Sequence, residues 1–449
     1  MTKSRKISMK RNVPQPGEEG YKTPTQLRNA RKRRKKKLDR KTELEEKALK
    51  PQDPSLRYLS SPTTAPVVQR AISFFNRERE GEFNIVVGPS TGWRTVAKLA
   101  VRKQAGCLRI GLFVPGSHDL LEVPQCSAHH PKINQNIEFL QKKCRSVGIE
   151  PYDENFGNGN LRHVAINIER STSRSQITLV WNGLSTSGDS ERKLKNLCDA
   201  LIAASENKNE RRIELHSLWI HYNDAGKHEN AIFNHEGCWE KKFGEDSVIE
   251  QLDIDPCLAV PLEFPPQVFR QANIDAFCDI IKRIRQWVQK ISKMGATNCV
   301  ELYGGVGTIG LHLADLCESF VSSDENPHNK ACFESSVKNM VIYKGDRSPR
   351  ITYESKNASS MVKTREFQNA NLLIVDPPRK GLDGDVLEAM CHVNSAKFLV
   401  YVSCGFDAFT RDYQELTENG KWQLDHAEGH LLFPGSDAIE TLAFFTRKR

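Results

Sequence analysis

The feature that most restricts the fold is an alternation that begins after Pro266. A helical stretch near Asn273–Ser292 leads into short apolar strands separated by amphipathic helices. They read as strand Asn298–Tyr303, helix Thr308–Leu316, strand Phe320–Asp324, helix Asn329–Val341, strand Asn371–Val375, helix Asp385–His392, strand Lys397–Val402 and helix Ala408–Asn419. Such alternation predicts an open, mostly parallel, doubly wound α/β sheet. Two more strands, near Trp422–Ala427 and Thr441–Phe445, have only a loop between them and predict an antiparallel pair at the sheet's edge.

Upstream the rhythm is different. Strands are predicted at Asn84–Val87, Lys98–Val101, Arg109–Phe113, His163–Ile168, Gln176–Trp181 and Ser217–Tyr222, with a helix near Arg192–Ala204, which is the pattern of an α+β domain. Pro51, Pro54 and Pro62 with neighbouring serines mark a linker before it. The expected division is a basic tail and linker over 1–55, an α+β domain over 56–265 and the α/β domain over 266–449.

The charge is concentrated in that tail. Of 65 Lys/Arg and 56 Asp/Glu, residues 1–50 hold 18 and 6, so the remainder carries 47 basic and 50 acidic side chains and is near neutral. The run Arg31-Lys32-Arg33-Arg34-Lys35-Lys36-Lys37 repels itself and is poor in apolar residues, so it is read as disordered or as a solvated helix, suited to docking on phosphates or to serving as a nuclear address. A solubilising tail without a specific partner is the plainer alternative. No apolar run is long enough to cross a bilayer, and the N-terminus lacks the apolar stretch of a secretory signal, so a soluble protein without a membrane partner is expected. The 12 cysteines include no pair two residues apart, which suggests neither a zinc ribbon nor an iron–sulfur cluster, and no metal is expected.

Three strand ends carry candidate chemistry. The first is Glu301-Leu302-Tyr303-Gly304-Gly305-Val306-Gly307-Thr308, whose glycines let backbone approach a ligand, followed about twenty residues later by Asp324-Glu325, where a carboxylate can hold ribose hydroxyls. This fits a nucleoside-bearing cofactor, dinucleotide or S-adenosylmethionine. The second is Asp376-Pro377-Pro378-Arg379-Lys380-Gly381-Leu382, in which the prolines end the strand and hold the Asp376 carboxylate at its tip. Amine methyltransferases carry an aromatic residue after such prolines; Arg379 stands there and argues against adenine N6 chemistry. The third is Tyr401-Val402-Ser403-Cys404. If the two strands are neighbours, about 5 Å apart, Asp376 and Cys404 share one rim, and a thiol so placed is a candidate nucleophile. Carbon 5 of uracil needs such a group: a thiolate adding at carbon 6 puts electron density on carbon 5, and a base must afterwards remove the carbon-5 proton.

At these residues the chain resembles the RNA uracil-5-methyltransferases of the TrmA/RumA type. The likeness runs in order through Gly92-Trp93-Arg94 with Lys98 and Arg102, Gly116-Ser117-His118, Val123-Pro124-Gln125-Cys126, Phe269-Arg270-Gln271-Ala272-Asn273, Leu302–Thr308, Asp376–Leu382, Tyr401–Cys404 with Arg411-Asp412, and Phe433-Pro434 leading to Glu440. The resemblance implies a class I methyltransferase fold, Rossmann-like, preceded by an RNA-recognition domain. It implies Cys404 as nucleophile and Glu440 as proton-removing base, with Gln271, Tyr303, Thr308, Glu325 and Asp376 binding S-adenosylmethionine. The expected product is 5-methyluridine in transfer or ribosomal RNA, at a flipped or unpaired uridine, made by a monomer.

For the RNA side, Arg94, Lys98 and Arg102 are expected to contact phosphate or the flipped base and Trp93 to stack on it, against the alternative that Trp93 is core and the cations are ordinary surface. The sequence also departs from the family pattern. Gly405-Phe406 stands for Asn-Pro, Ala438 for His, Gly304 for Cys, and an acidic residue is replaced around Asn357. These departures raise a second reading, an RNA-binding or RNA-folding protein of the same fold without turnover, against which stand Cys404, Glu440 and Asp376.

Overall fold

The computed structural model describes residues 53–449 except 79–81, 115–116, 118, 124, 184, 186, 208–212, 225–231, 234–237, 296, 344–348 and 449. The basic run 31–37 and the motif residues Gly116, His118 and Pro124 lie outside the described residues. After helix α1 (Pro66–Glu78) and strand β1 (Asn84–Val87), the chain forms β2 (Val96–Gln104), β3 (Cys107–Phe113), β4 (Leu120–Glu122), helix α2 (Pro131–Val147), β5 (Leu161–Ile168), β6 (Ser175–Asn182), helix α3 (Gly188–Glu206), β7 (Leu215–Asn223) and β8 (Trp239–Gly244). Strands β2 to β8 make a seven-stranded sheet in the order β4-β3-β2-β5-β6-β7-β8. Its apolar face, with Leu99, Val101, Val164, Ile166, Leu179 and Ile220, packs on Ile137 and Leu140 of α2 and Leu197 and Leu201 of α3. Helix α2 is missing from the sequence reading although its signals are present: Pro131 in the first turn, apolar residues at Ile133, Ile137 and Leu140, and left-handed Gly148 closing it.

Short strands β9 (Val248–Gln251), β10 (Leu258–Ala259) and β11 (Pro261–Phe264) lead to helix α4 (Ile274–Ser292), where the Asn273 side chain caps the first turn by accepting from Ala276 N–H. The alternation follows, as β12 (Asn298–Leu302), β13 (Ser319–Ser323), α5 (Asn329–Asn339), β14 (Val341–Ile342), β15 (Arg350–Glu354), α6 (Ala358–Met361), α7 (Arg365–Asn369), β16 (Leu372–Val375), α8 (Gly384–His392), β17 (Phe398–Ser403), α9 (Phe406–Glu418), β18 (Trp422–Leu431) and β19 (Glu440–Arg447), of which β14, β15, α6 and α7 are absent from the sequence reading. The resulting eight-stranded sheet has the order β1-β18-β19-β17-β16-β12-β13-β15. Only β19 runs against its neighbours in it. Strand β16 shows why both faces carry helices: Leu372 and Ile374 join the core of Phe277, Ile281 and Val288 from α4, while Leu373 and Val375 join that of Met390, Phe409 and Leu416 from α8 and α9.

Three expectations need correction. Helix α1, Phe83 and β1 fall inside the expected 56–265 domain, yet Val68, Phe74, Phe75 and Phe83 pack in the core of the eight-stranded sheet, whose partners cover their apolar surface. The β18–β19 pair is antiparallel but is not the edge, because β1 adds in parallel outside β18. Thr308–Leu316 holds no α-helix; it forms two 3₁₀ turns at Gly310–His312 and Ala314–Leu316. There the chain lies so close to the sheet that a Cβ at Gly310 would sit 2.0 Å from the Phe320 ring.

Candidate active site

The sheet order reverses between β12 and β16: the chain winds from β12 to β13 and β15 on one side and from β16 to β17 on the other. Ligands bind at such a switch, outside the carboxyl ends of the strands. Tyr303 follows β12, Asp324-Glu325 follows β13, Asp376 follows β16 and Cys404 follows β17, so the fold delivers four of the motif segments to one rim. Strand β19 adds the fifth group because it runs antiparallel: its register with β17 ends at the pair Ser403–Thr441, so Cys404, just past β17, and Glu440, the first residue of β19, come to the same end of the two strands. On the other flank Val375 pairs with Tyr401, which brings Asp376 to the same end of the sheet, level with Val402. The cysteine thus lies between two carboxyl groups that are distant in sequence.

Burial governs the charges there. Glu440 is 7% exposed, and burial with the nearby Asp376 pushes its carboxyl well above the usual range, against the opposing pull of the Arg379 guanidinium. Burial pushes Asp376 up to about 7. Burial first, then the fields of Glu440 and Asp376, push the Cys404 thiol up to about 11, again opposed by Arg379. A site in this state holds the sulfur as a thiol. Positive charge brought beside the carboxyl groups lowers all three values.

The loop that carries Asp376 and Arg379 is fixed from α9. Asp412, fully buried, accepts from Leu382 N–H at 2.8 Å, from the Tyr401 hydroxyl at 2.7 Å and from Arg411 Nε at 2.9 Å. Arg411 Nη2 donates in turn to the Lys380 and Leu382 carbonyls at 3.1 and 3.3 Å. Arg411-Asp412, which the sequence offered only as part of a resemblance, therefore has a physical role. Gly405 completes the join: a Cβ there would sit 2.3 Å from the Arg379 carbonyl oxygen, so only glycine lets the turn after Cys404 close on the Asp376 loop.

Beside this lies the glycine loop. Tyr303 is a non-glycine residue with φ of 59°, a left-handed conformation that the surrounding structure must hold in place. Gly305 has φ of 56°, and a side chain there would meet nothing within 4 Å, so the space next to it is open. Gly304 is closed on its other side, where a Cβ would sit 2.2 Å from Ser322 Oγ and 2.6 Å from Glu301 Oε2, which explains why no larger residue stands there. Asp324 accepts from Gly305 N–H at 3.1 Å, while Glu325 is exposed at the rim. Glu301 is buried below the loop, accepts from Gly310 N–H at 2.9 Å and Ser322 Oγ at 2.6 Å, and is pushed up to about 8 by burial. Gln271 sits in the segment before α4, whose Ala272 carbonyl accepts from Thr95 N–H at 2.9 Å and whose Asn273 amide donates to the Leu432 carbonyl at 2.7 Å. Thr308 lies half-buried at the far end of the glycine loop. Asn357 is a helix cap, accepting from Ser360 N–H at 2.9 Å. A glycine turn open beside Gly305 at the end of β12, and the half-buried Asp376 carboxyl at the end of the neighbouring β16, fit a nucleoside that carries a cationic centre.

Residues 240–447 match the family described as tRNA (Uracil-5-)-methyltransferase. An uncharacterized RNA methyltransferase of Protochlamydia amoebophila is 36% identical over 360 residues, covering 80% of this chain and 87% of that protein. The chain belongs to the RNA uracil-5-methyltransferase family. The family is S-adenosylmethionine-dependent. A more distant relative, an uncharacterized RNA methyltransferase of Lactococcus lactis, is 26% identical over 79% of this chain and 71% of its own length. Among solved structures, a Pyrococcus abyssi tRNA (uracil-54, C5)-methyltransferase in complex with S-adenosyl-L-homocysteine superposes with a TM-score of 0.60 at 18% identity, covering 85% of this chain and 83% of that one. That likeness establishes the fold, a class I methyltransferase sheet with a second α+β sheet before it.

The four residues expected to meet RNA are not equivalent in this family member. Trp93 is 4% exposed, its ring 5.1 Å from that of Phe433, so it belongs to the core and has no face free to stack on a base. Arg102 is buried, donates to the Val101 and Arg162 carbonyls at 2.9 and 2.8 Å and pairs with Glu154, which leaves no donor set turned toward phosphate. Both expectations are corrected. Arg94 is half-buried with its guanidinium 4.8 Å above the Trp93 ring and 5.5 Å from that of Phe433. Lys98 is exposed on β2, its ammonium 4.6 Å from the Phe233 ring. Among the described residues no helix is long and apolar enough to cross a membrane, and no group of three or more His, Cys, Asp or Glu is arranged to hold a metal ion.

Proposed function

We propose that this protein methylates carbon 5 of a uridine in structured RNA through a covalent bond between Cys404 and carbon 6. The observation that carries the reading is the placement of Cys404 at the end of β17, between β19, which starts at Glu440, and β16, which ends before Asp376, close enough for both carboxyl groups to act on the thiol. Cys404 Sγ, as the thiolate, bonds to carbon 6, and the electrons of the 5,6 double bond move to form an enolate with density on carbon 5. S-adenosylmethionine, when bound, supplies an electrophilic methyl group and a positive charge. Tyr303, Thr308, Glu325, Gln271 and Asp376 would hold it, with Asp376 nearest the reacting groups. Carbon 5 bonds to the methyl group as the methyl–sulfonium bond breaks and its electron pair stays on the departing sulfur, a neutral thioether; Glu440 as carboxylate then removes the carbon-5 proton, and the electrons released re-form the 5,6 double bond as the bond from carbon 6 to Cys404 Sγ breaks and returns the thiolate. A carboxyl raised by burial is a stronger base once ionised, which suits Glu440 to that step.

For RNA, Lys98 and Arg94 are the contacts that the surroundings support, and Trp93 and Arg102 act through the fold. The basic N-terminal segment adds sequence-independent attraction to phosphate. The test is a trap. RNA containing 5-fluorouridine should leave a stable protein–RNA adduct, because fluorine is not removed as a proton. Cys404→Ala should form none. Glu440→Gln should still attack and methylate ordinary RNA, then stall as an adduct, with turnover down about 10²–10⁴-fold. An adduct that survives Cys404→Ala, or normal turnover by Glu440→Gln, would refute the assignment.

A further inference from the structure

We infer that helix α1 is a positioning brace that holds the Cys404 turn and the Glu440 loop in register for the reaction proposed above, on which this inference rests. Its two ends contact the two loops. At the first turn, Val67 N–H donates to Asp437 Oδ1 at 2.8 Å, and Asp437 is in the loop that delivers Glu440 to the start of β19. A carboxylate at a helix N-terminus is favoured by both the hydrogen bond and the helix dipole. At the other end, the Phe74 ring meets Phe406 edge-on at 5.8 Å and Tyr413 at 5.2 Å, and Phe75 packs on Phe409 at 5.7 Å. Phe406 is the second residue after Cys404 and opens α9. From Val67 to Phe74 the helix spans about 10 Å, a rigid spacer between the two contacts.

The chain on either side of α1 tightens the same loop. Phe83 stacks on Phe75 at 4.3 Å and leads into β1, which follows β18 as far as Val87 opposite Leu431; Gly88 N–H then donates to the Leu431 carbonyl at 3.0 Å. Before α1, Tyr58 N–H donates to the Gly435 carbonyl at 2.8 Å, and a Cβ at Gly435 would sit 1.9 Å from the Ser55 carbonyl oxygen. The need for a brace is local. Gly405, whose N–H donates to Ser403 Oγ at 3.2 Å, has no side chain to pack, so the first side chain anchored after the nucleophile is that of Phe406, 4% exposed in the aromatic cluster that α1 supplies.

The experiment uses the full chain. Phe74→Ala and Asp437→Ala, measured below their melting temperatures, should lower the rate of adduct formation and kcat, by about tenfold to a hundredfold for Phe74→Ala on the scale of small misplacements of reacting groups. Asp437→Ala should fall less. KM for S-adenosylmethionine and RNA affinity should change less than about twofold on that same scale. Asp437→Asn, whose amide oxygen still accepts from Val67 N–H, should restore the rate. Unchanged kcat in folded Phe74→Ala and Asp437→Ala would overturn the brace, and a rate loss tracked by equal losses in affinity would assign α1 a merely structural role.

A second measurement separates this inference from the reaction itself: alkylation of Cys404 by iodoacetamide in the protein alone, read by peptide mass. Loosening the turn relieves burial of the thiol, so Phe74→Ala should alkylate several-fold faster than the unaltered protein, with its pH profile shifted down. An identical rate and profile overturn the brace whether or not the RNA reaction is found.

Discussion

The active-site rim and strand β2 were equally suggestive as sequence, and they differ in how position became exposure. On the rim, Tyr303, Asp376 and Cys404 each follow the carboxyl end of a parallel strand, where the chain leaves the sheet at one common edge, so topology alone brings them together. On β2, Lys98 and Arg102 are four apart and so point to the same face. Lys98 is exposed, while Arg102 is covered by Phe113 and Tyr152, whose rings lie 5.1 and 5.3 Å from its guanidinium, and by its pair with Glu154. Strand-end motifs carry their own placement; a charged residue along a strand takes its environment from neighbours that its own sequence does not name.

Substitutions on both sides sharpen that contrast. The largest effect is expected at Trp93, where Ala should cost about 3–5 kcal/mol of stability by opening a cavity against Phe433, seen as a lower denaturant midpoint. Loss of RNA affinity without loss of stability would return Trp93 to the RNA surface and break the comparison. Glu301→Gln comes next. The folded-state value of about 8 lies above the ordinary 4.5, so the protonated form is favoured by folding, and that stability is present below about pH 4.5 and lost as pH rises through 8. Gln removes this dependence. Melting temperatures of the two proteins should coincide at acid pH, separate in favour of the variant as pH rises from about 4.5 to 8 and keep a constant gap above that, and parallel curves would contradict a buried neutral carboxyl. Lys98→Glu is the smallest in stability, within about 0.5 kcal/mol, because the side chain is exposed. Its effect should appear instead as weaker RNA binding at low salt, and unchanged binding would remove β2 from the RNA surface.

How much was legible follows from the same distinction. Strands β12, β13, β16 and β17 and helices α5, α8 and α9 could be read because each is a short apolar run or an amphipathic period bounded by turn residues, a local signal, whereas β14, β15, α6 and α7, between Val341 and Asn369, were not read. Gly305, Asp376 and Cys404 were visible for the same reason, each standing just past such a run. The 3₁₀ turns at Gly310–His312 and Ala314–Leu316 were not, since an apolar period reads as a helix until Phe320 is known to press against Gly310. Nor was the membership of α1 and β1 in the eight-stranded sheet, because an aromatic stretch such as Phe74-Phe75 specifies burial without saying which core receives it.

The sequence by itself determined the alternating sheet and the chemical groups at its strand ends, because hydrophobic period, prolines and glycines act over a few residues. Only the tertiary structure decided that β19 runs antiparallel beside β17, so that its start meets the Cys404 end, that Asp412 ties down the Asp376 loop and that Trp93 and Arg102 are withdrawn from the surface. Those outcomes depend on strand register and on which buried polar groups find partners, and both are settled by contacts between segments far apart in the chain.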